Sequence, residues 1–213
     1  TIDLRDTLSF EPDDGVRLLC RYPSPGGIMA EAVRLLQEET GCKKGALIVF
    51  SEGIPHPSGG LGASSSAAAA TLFGLNELWG LGLSTKELAQ IASRIGSDVP
   101  FFLYGATALG EGRGERITPL ATIQRSWVVL LRPPIHIAEK TKTLYGSLAP
   151  THFTSGEATW RLIEHLKRGD PITSSMLYNV FAKLAFDAFP GLGDYWERFL
   201  KAGAAGVHLA GAG

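Results

Sequence analysis

A run of small residues, Gly59-Gly60-Leu61-Gly62-Ala63-Ser64-Ser65-Ser66-Ala67-Ala68-Ala69-Ala70, passes directly into the apolar segment from Thr71 to Trp79. This junction constrains the chain more than any other feature. The glycines permit positive φ and a close approach of ligand to backbone. The three serine hydroxyls fall where a helix N-cap belongs. Ala67 onward has the composition of a strong helix former, so residues 65–79 are expected to form a helix with its N-terminus facing the loop. The first amides of such a helix lack intrahelical acceptors, and its dipole places roughly half a positive charge there, so the junction is suited to phosphate. Gly60, Leu61, Gly62, Ala63, Ser64, Ser65 and Ser66 are the candidate phosphate-binding residues. A flexible Gly/Ser linker is the alternative, but linkers are not flanked by Ile54-Pro55 and an apolar helix. The loop is neither a Walker A motif, since no Gly-Lys-Ser/Thr occurs, nor a dinucleotide fingerprint, since Ser65 replaces the third glycine.

The remaining composition narrows the class by exclusion. At 213 residues with a net charge of −1, the chain can bury roughly 70% of its unfolded surface but offers no basic face for nucleic acid. Cys20 and Cys42 have neither C-x-x-C nor metal-ligand spacing, so reduced thiols are expected. Histidine spacing gives no metal site, and neither a signal segment nor a long apolar span is found, which points to the cytoplasm. Oligomeric state, monomer or homodimer, is left open.

Along the chain, helical and strand periodicities alternate without repeats. Residues 4–10 and 16–22 suit a hairpin or two edge strands around Glu11-Pro12-Asp13-Asp14-Gly15. A helical face runs from Ile28 to Glu39 and stops at Gly41, and residues 46–50 form a buried strand leading to the glycine loop. Ser84-x-x-Glu87 and Thr154-x-x-Glu157 each have the form of a capping box. Residues 126–131 have strand composition before Pro133-Pro134. Helices are expected over residues 176–189 and 192–202. The domain boundary is placed between residues 125 and 126.

Four segments carry a family resemblance. Pro55 through Ala68, with Gly60-Leu61-Gly62 and the serines, resembles the ATP loop of the GHMP kinases, which include galactokinase, homoserine kinase and the mevalonate-pathway kinases. Gly96-Ser97-Asp98-Val99-Pro100-Phe101-Phe102 and Gly110-Glu111-Gly112-Arg113-Gly114-Glu115 are similar to the branch acting on cytidine diphosphate methylerythritol, the 4-diphosphocytidyl-2-C-methyl-D-erythritol kinases of the non-mevalonate isoprenoid pathway. Residues 75–84 resemble that branch too. The resemblance therefore spans residues 54–119 almost continuously.

It implies an α/β (α+β) two-domain architecture with the active site in the interdomain cleft, an N-terminal ATP domain at 1–125 and a substrate-side domain at 126–213. It implies ATP with Mg²⁺, an alcohol acceptor and a small-molecule cytidine diphosphate substrate. Another GHMP kinase, of homoserine or phosphomevalonate type, and a catalytically silent nucleotide-binding fragment are the competing readings. The family's N-terminal Lys-x-Asn strand and Tyr-His pair would precede Thr1, and Ala210-Gly211-Ala212-Gly213 resembles the family's last glycine motif, which lies beside the phosphate loop. A chain trimmed at both ends is therefore expected.

Local sequence leaves Asp98 two roles, a helix N-cap with Pro100 at the second helical position or a carboxylate acting on an acceptor hydroxyl. The resemblance implies the second. It also implies that Thr141 and Tyr145 line the cytidine pocket, with Tyr145 stacked on the base; a helical aromatic packed on Leu148 is the plainer alternative. Ser65 or Ser66 would offer a hydroxyl to phosphate or Mg²⁺. Gly27, Glu31, Glu52, Ser64 and Ala67 depart from the family pattern. His56 borders the loop as a possible phosphate contact, whereas Trp79, Trp127, Trp160 and Trp196 are expected to serve in packing.

Overall fold

The computed structural model describes residues 2–20, 23–51, 60–134 and 139–211. Glu52, Ile54-Pro55, His56, Gly59 and the last two residues of the glycine-rich tail lie outside the described residues. The chain divides into two compact units, Thr1–Pro57 with Gly62–Leu120, and Ser58–Leu61 with Ala121–Gly213.

In the first unit, β1 (Thr7–Asp13) and β2 (Val16–Leu19) are consecutive in sequence but never pair; β3 (Gly45–Ser51) lies between them, antiparallel to β1 and parallel to β2. Both outer strands are thus edge strands, and Pro12 sits in β1 where an edge tolerates its missing N–H. The turn from β1 to β2 wraps the start of β3. A Cβ on Gly45 would collide with the carbonyl of Asp13 and stand 2.7 Å from that of Gly15, so glycine alone fits this crossing. The Ala46 amide donates to Gly15 O at 3.0 Å.

Alternation along β3 buries Ala46, Ile48 and Phe50. Over them pack α1 (Pro23–Thr40), α2 (Ala63–Trp79) and α3 (Thr85–Ile95), with Met29, Leu36, Leu72, Leu75 and Leu88 at the centre. Gly41, at φ +66, follows the end of α1. Gly74 in mid-helix has a packing reason: the Phe10 ring lies on it, with Cδ2 2.7 Å from where a Cβ would be. Trp79 is core, and its indole N–H reaches Gly45 O at 3.1 Å. The Ser84–Glu87 capping box is formed at the head of α3. The short α4 (Val99–Tyr104) and the hairpin β4 (Ala108–Glu111) and β5 (Arg116–Pro119) complete the unit.

The second unit is helical: α5 (Lys140–Gly146), α6 (Glu157–Lys167), α7 (Phe181–Ala188) and α8 (Leu192–Lys201), with 3₁₀ turns at Pro150–His152 and Ser174–Met176. Leu144, Ala185 and Phe189 form its buried centre. Four expectations are corrected here. Residues 126–131 form no strand. They are exposed, because the described part of this unit offers no strand to pair with, and Trp127 is fully solvated rather than packed. Trp160 is likewise exposed at 54%, while Trp196 meets Phe186 edge to face at 4.9 Å. Thr154 does not cap α6; Gly156 takes that position at φ +80. Helix α7 starts only at Phe181, whose amide donates to Asn179 Oδ1 at 2.9 Å at the head of the helix.

Both cysteines are free thiols. Among the described residues, no helix is long and apolar enough to cross a membrane.

Candidate active site

The glycines of the loop adopt the left-handed conformation the sequence demands, Gly60 at φ +75 and Gly62 at φ +68. Gly62 is itself the N-cap of α2, which corrects the expectation that a serine hydroxyl caps this helix. The first intrahelical bond runs from Ser66 N to Gly62 O at 2.9 Å, so the amides of Ala63, Ser64 and Ser65 lie ahead of the ladder at the positive end of the helix. The serines occupy the first turn. Ser66 Oγ donates to Ala63 O at 2.8 Å, leaving its oxygen as an acceptor. Ala67 is 3% exposed in the packed face, where an aspartate would bury an uncompensated charge.

Gly62 is fixed from the other side by α4. A Cβ there would lie 2.6 Å from Cζ of Phe102 and 3.0 Å from its Cε2. Asp98, one helical turn before Phe102, heads the same helix. Its side chain accepts no capping hydrogen bond from α4, which removes the plainer of its two roles. Pro100 supplies the fixed φ of the first turn instead. The β4–β5 turn adjoins it: a Cβ on Gly114 would be 3.8 Å from Asp98 Oδ1 and 3.8 Å from Ser97 O. Glu115 closes that turn by accepting from Arg113 N at 2.7 Å. Hydrogen bonds from its own amide and that of Arg113 hold the Glu115 carboxyl below its ordinary value. The loop helix, Asp98 and the 110–115 turn are thus linked through packing within the first unit.

Within the second unit, Gly60 lies against the glycine-rich tail. A Cβ on Gly60 would strike the carbonyl of Ala210, and one on Gly211 would stand 3.2 Å from Gly60 Cα. Thr141 and Tyr145 share a face of α5, both exposed, with the Tyr145 ring 4.8 Å from that of Phe181. Its aromatic neighbour is therefore on α7. Glu31, a departure from the family, pairs with Arg34 on α1 at 2.7 Å, which holds the Glu31 carboxyl below its ordinary value. Gly27 has open space where a Cβ would go, and Glu52 lies outside the described residues.

Residues 27–106 match the family described as GHMP kinases N terminal domain. Over its whole length the chain is 43% identical to a 4-diphosphocytidyl-2-C-methyl-D-erythritol kinase of Dehalococcoides mccartyi, spanning 76% of that protein. The chain belongs to this kinase family. A relative in Geobacillus thermodenitrificans, of the same name, is 35% identical across the whole chain and 75% of its own length. A crystal structure of 4-(cytidine 5'-diphospho)-2C-methyl-D-erythritol kinase superposes with TM-score 0.72 at 30% identity, covering 99% of this chain and 75% of that one. A homoserine kinase from Cytophaga hutchinsonii shares the fold, with TM-score 0.69 at 22% identity over 98% of this chain and 74% of its own. The protein is thus an ATP-dependent small-molecule kinase of GHMP fold.

Two contributors to this arrangement escape sequence reasoning. Phe102 reads as an ordinary core aromatic, and nothing local pairs it with Gly62. Asn179 was hidden inside an expected helix, although an Asn just before the apolar run Val180-Phe181-Ala182 is a helix-start signal.

Proposed function

We propose that this kinase phosphorylates the 2-hydroxyl of 4-diphosphocytidyl-2-C-methyl-D-erythritol, using ATP. The observation that carries the reading is identity to proteins of that name along the entire chain, not only through the nucleotide loop. The amides ahead of the α2 ladder, with Gly60 and Gly62 giving backbone access, cradle the β- and γ-phosphates. Asp98 orients the acceptor hydroxyl and takes its proton as the O–P bond forms, while the γ-phosphoryl leaves ADP. Tyr145 stacks on cytosine and Thr141 lines the same pocket.

Mg²⁺ would be bound mainly by the substrate phosphates, with one or two protein oxygens. Ser65 or Ser66 would supply such an oxygen, and the cation would neutralise phosphate charge. The reaction belongs to the cytoplasm, where ATP is available.

The test is turnover on a panel. ADP release should be stimulated by the cytidine diphosphate substrate and not by homoserine or phosphomevalonate. Stimulation by either of the latter instead would move the assignment within the GHMP kinases, and ATP binding without turnover on any acceptor would leave a nucleotide-binding module.

A further inference from the structure

The described part of the glycine-rich tail, which abuts Gly60, has no helix or strand of its own, so something else must hold it in place. Residues 204–210 lie outside any helix or strand. A turn of glycine and alanine has little side-chain packing and high conformational entropy. Yet Ala210 and Gly211 approach Gly60 so closely that no side chain fits between.

The fastening comes from one amide side chain. Asn179 Nδ2 donates to Leu209 O at 3.0 Å and to Gly211 O at 2.8 Å, spanning both sides of Ala210. Its Oδ1 accepts from Phe181 N at 2.9 Å, which anchors the side chain to the first turn of α7. Three of the amide's four hydrogen-bonding capacities are used, all with one orientation of the side chain. A second tie further up the tail, Ser174 Oγ to His208 Nε2 at 2.8 Å, closes over Gly206.

We propose that Asn179 is a positioning residue for nucleotide binding: it holds the Leu209–Gly211 turn against Gly60 and thereby fixes the backbone of Gly60-Leu61, where the phosphate loop begins. Two carbonyls facing one NH₂ group require a donor, so aspartate, of the same shape but acceptor-only, is the discriminating substitution. This rests on the kinase reading above, because the effect is read through ATP.

The experiment compares the protein with Asn179→Asp and Asn179→Ala. It measures calorimetric affinity for a non-hydrolysable ATP analogue, KM for ATP and for the cytidine diphosphate acceptor, and amide hydrogen exchange. In both variants exchange should rise in peptides covering residues 60–62 and 205–211. Analogue affinity should fall about tenfold or more, with ATP KM rising in step, as expected when hydrogen-bonded order worth about one tenfold factor is lost. Acceptor KM should stay within about twofold, since a tenfold effect requires loss of an interaction. Unchanged analogue affinity overturns the proposal, even if exchange rises. Parallel loss of analogue affinity and acceptor KM also overturns it, by showing a general structural role. If the parent protein binds no analogue, the kinase reading itself fails; if the parent binds and both variants bind equally, only the role of Asn179 does.

Discussion

Gly62→Ala tests the geometry of the phosphate loop with an internal reference. The substitution forces a non-glycine residue to φ +68, at a cost of about 1–2 kcal/mol. It also places a methyl 2.6 Å from Cζ of Phe102, well inside the carbon contact distance of about 3.5–4.0 Å. Phe102 is partly buried and packs against the core, so moving its ring disturbs that packing. Relief requires roughly an ångström of movement, and overpacking of this kind costs about 1–3 kcal/mol. Gly80→Ala supplies the comparison: Gly80 caps the other end of the same helix at φ +65, with nothing within 4 Å of a Cβ. It should lose only the conformational part, about 1–2 kcal/mol. Urea unfolding should therefore give Gly62→Ala roughly twice the destabilisation of Gly80→Ala. Calorimetry should show ATP-analogue affinity falling about tenfold or more in Gly62→Ala and holding in Gly80→Ala, because each factor of ten is only about 1.4 kcal/mol of displaced phosphate contacts. The double variant Gly62→Ala/Phe102→Leu should recover part of the stability and none of the φ cost. Equal destabilisation by the two glycine substitutions, with ATP affinity intact in both, would refute the contact between loop and α4.

Other consequences follow from single interactions. Tyr145→Ala should weaken cytidine-nucleotide binding about tenfold, since stacking on a base is worth roughly 1–3 kcal/mol, and leave ATP-analogue binding unchanged; calorimetry with each nucleotide decides. Asn76 is buried, with its amide exchanging hydrogen bonds with the backbone of Leu83 at 2.9 and 3.1 Å, so Asn76→Ala should cost about 1–3 kcal/mol in urea unfolding by orphaning that backbone. The Ser84 hydroxyl, then the Ser84 amide, holds the Glu87 carboxyl below its ordinary value. A depressed carboxyl stabilises the fold above its unfolded pKa of about 4.3 and loses that contribution as pH falls through its folded value. Ser84→Ala should therefore move the Glu87 midpoint upward in an NMR titration and flatten the acid limb of stability.

Elements fixed by local chemistry were legible in the sequence. The serine and glutamate of the α3 box, the helix behind the glycine loop and the buried alternation of β3 all form where their residues place them. Misreadings arose where a non-local partner decides the outcome. Pro12 lies within a strand because β3 separates β1 from β2 and leaves β1 an edge. Residues 126–131 have strand composition, but a strand is defined by its neighbour. At Thr154 and at the serines, a left-handed glycine took the cap the hydroxyl could have filled. Among the candidate site residues, the loop glycines stood out by residue type and spacing, whereas the role of Asp98 was only what the family resemblance implied. Phe102 and Asn179 did not stand out, because their partners are 40 residues away at Gly62 and 30 residues away at Leu209.

The central claim is that Asp98 performs proton transfer in a cytidine-dependent kinase, and the most direct measurement is kcat of the protein and of Asp98→Asn on 4-diphosphocytidyl-2-C-methyl-D-erythritol. The substitution keeps size and one acceptor oxygen, and no capping bond is lost because the carboxylate makes none. A fall of about 100- to 10,000-fold in kcat, with ATP-analogue affinity and thermal stability unchanged, is the predicted result. Turnover of the Asn variant near the parental rate would contradict it.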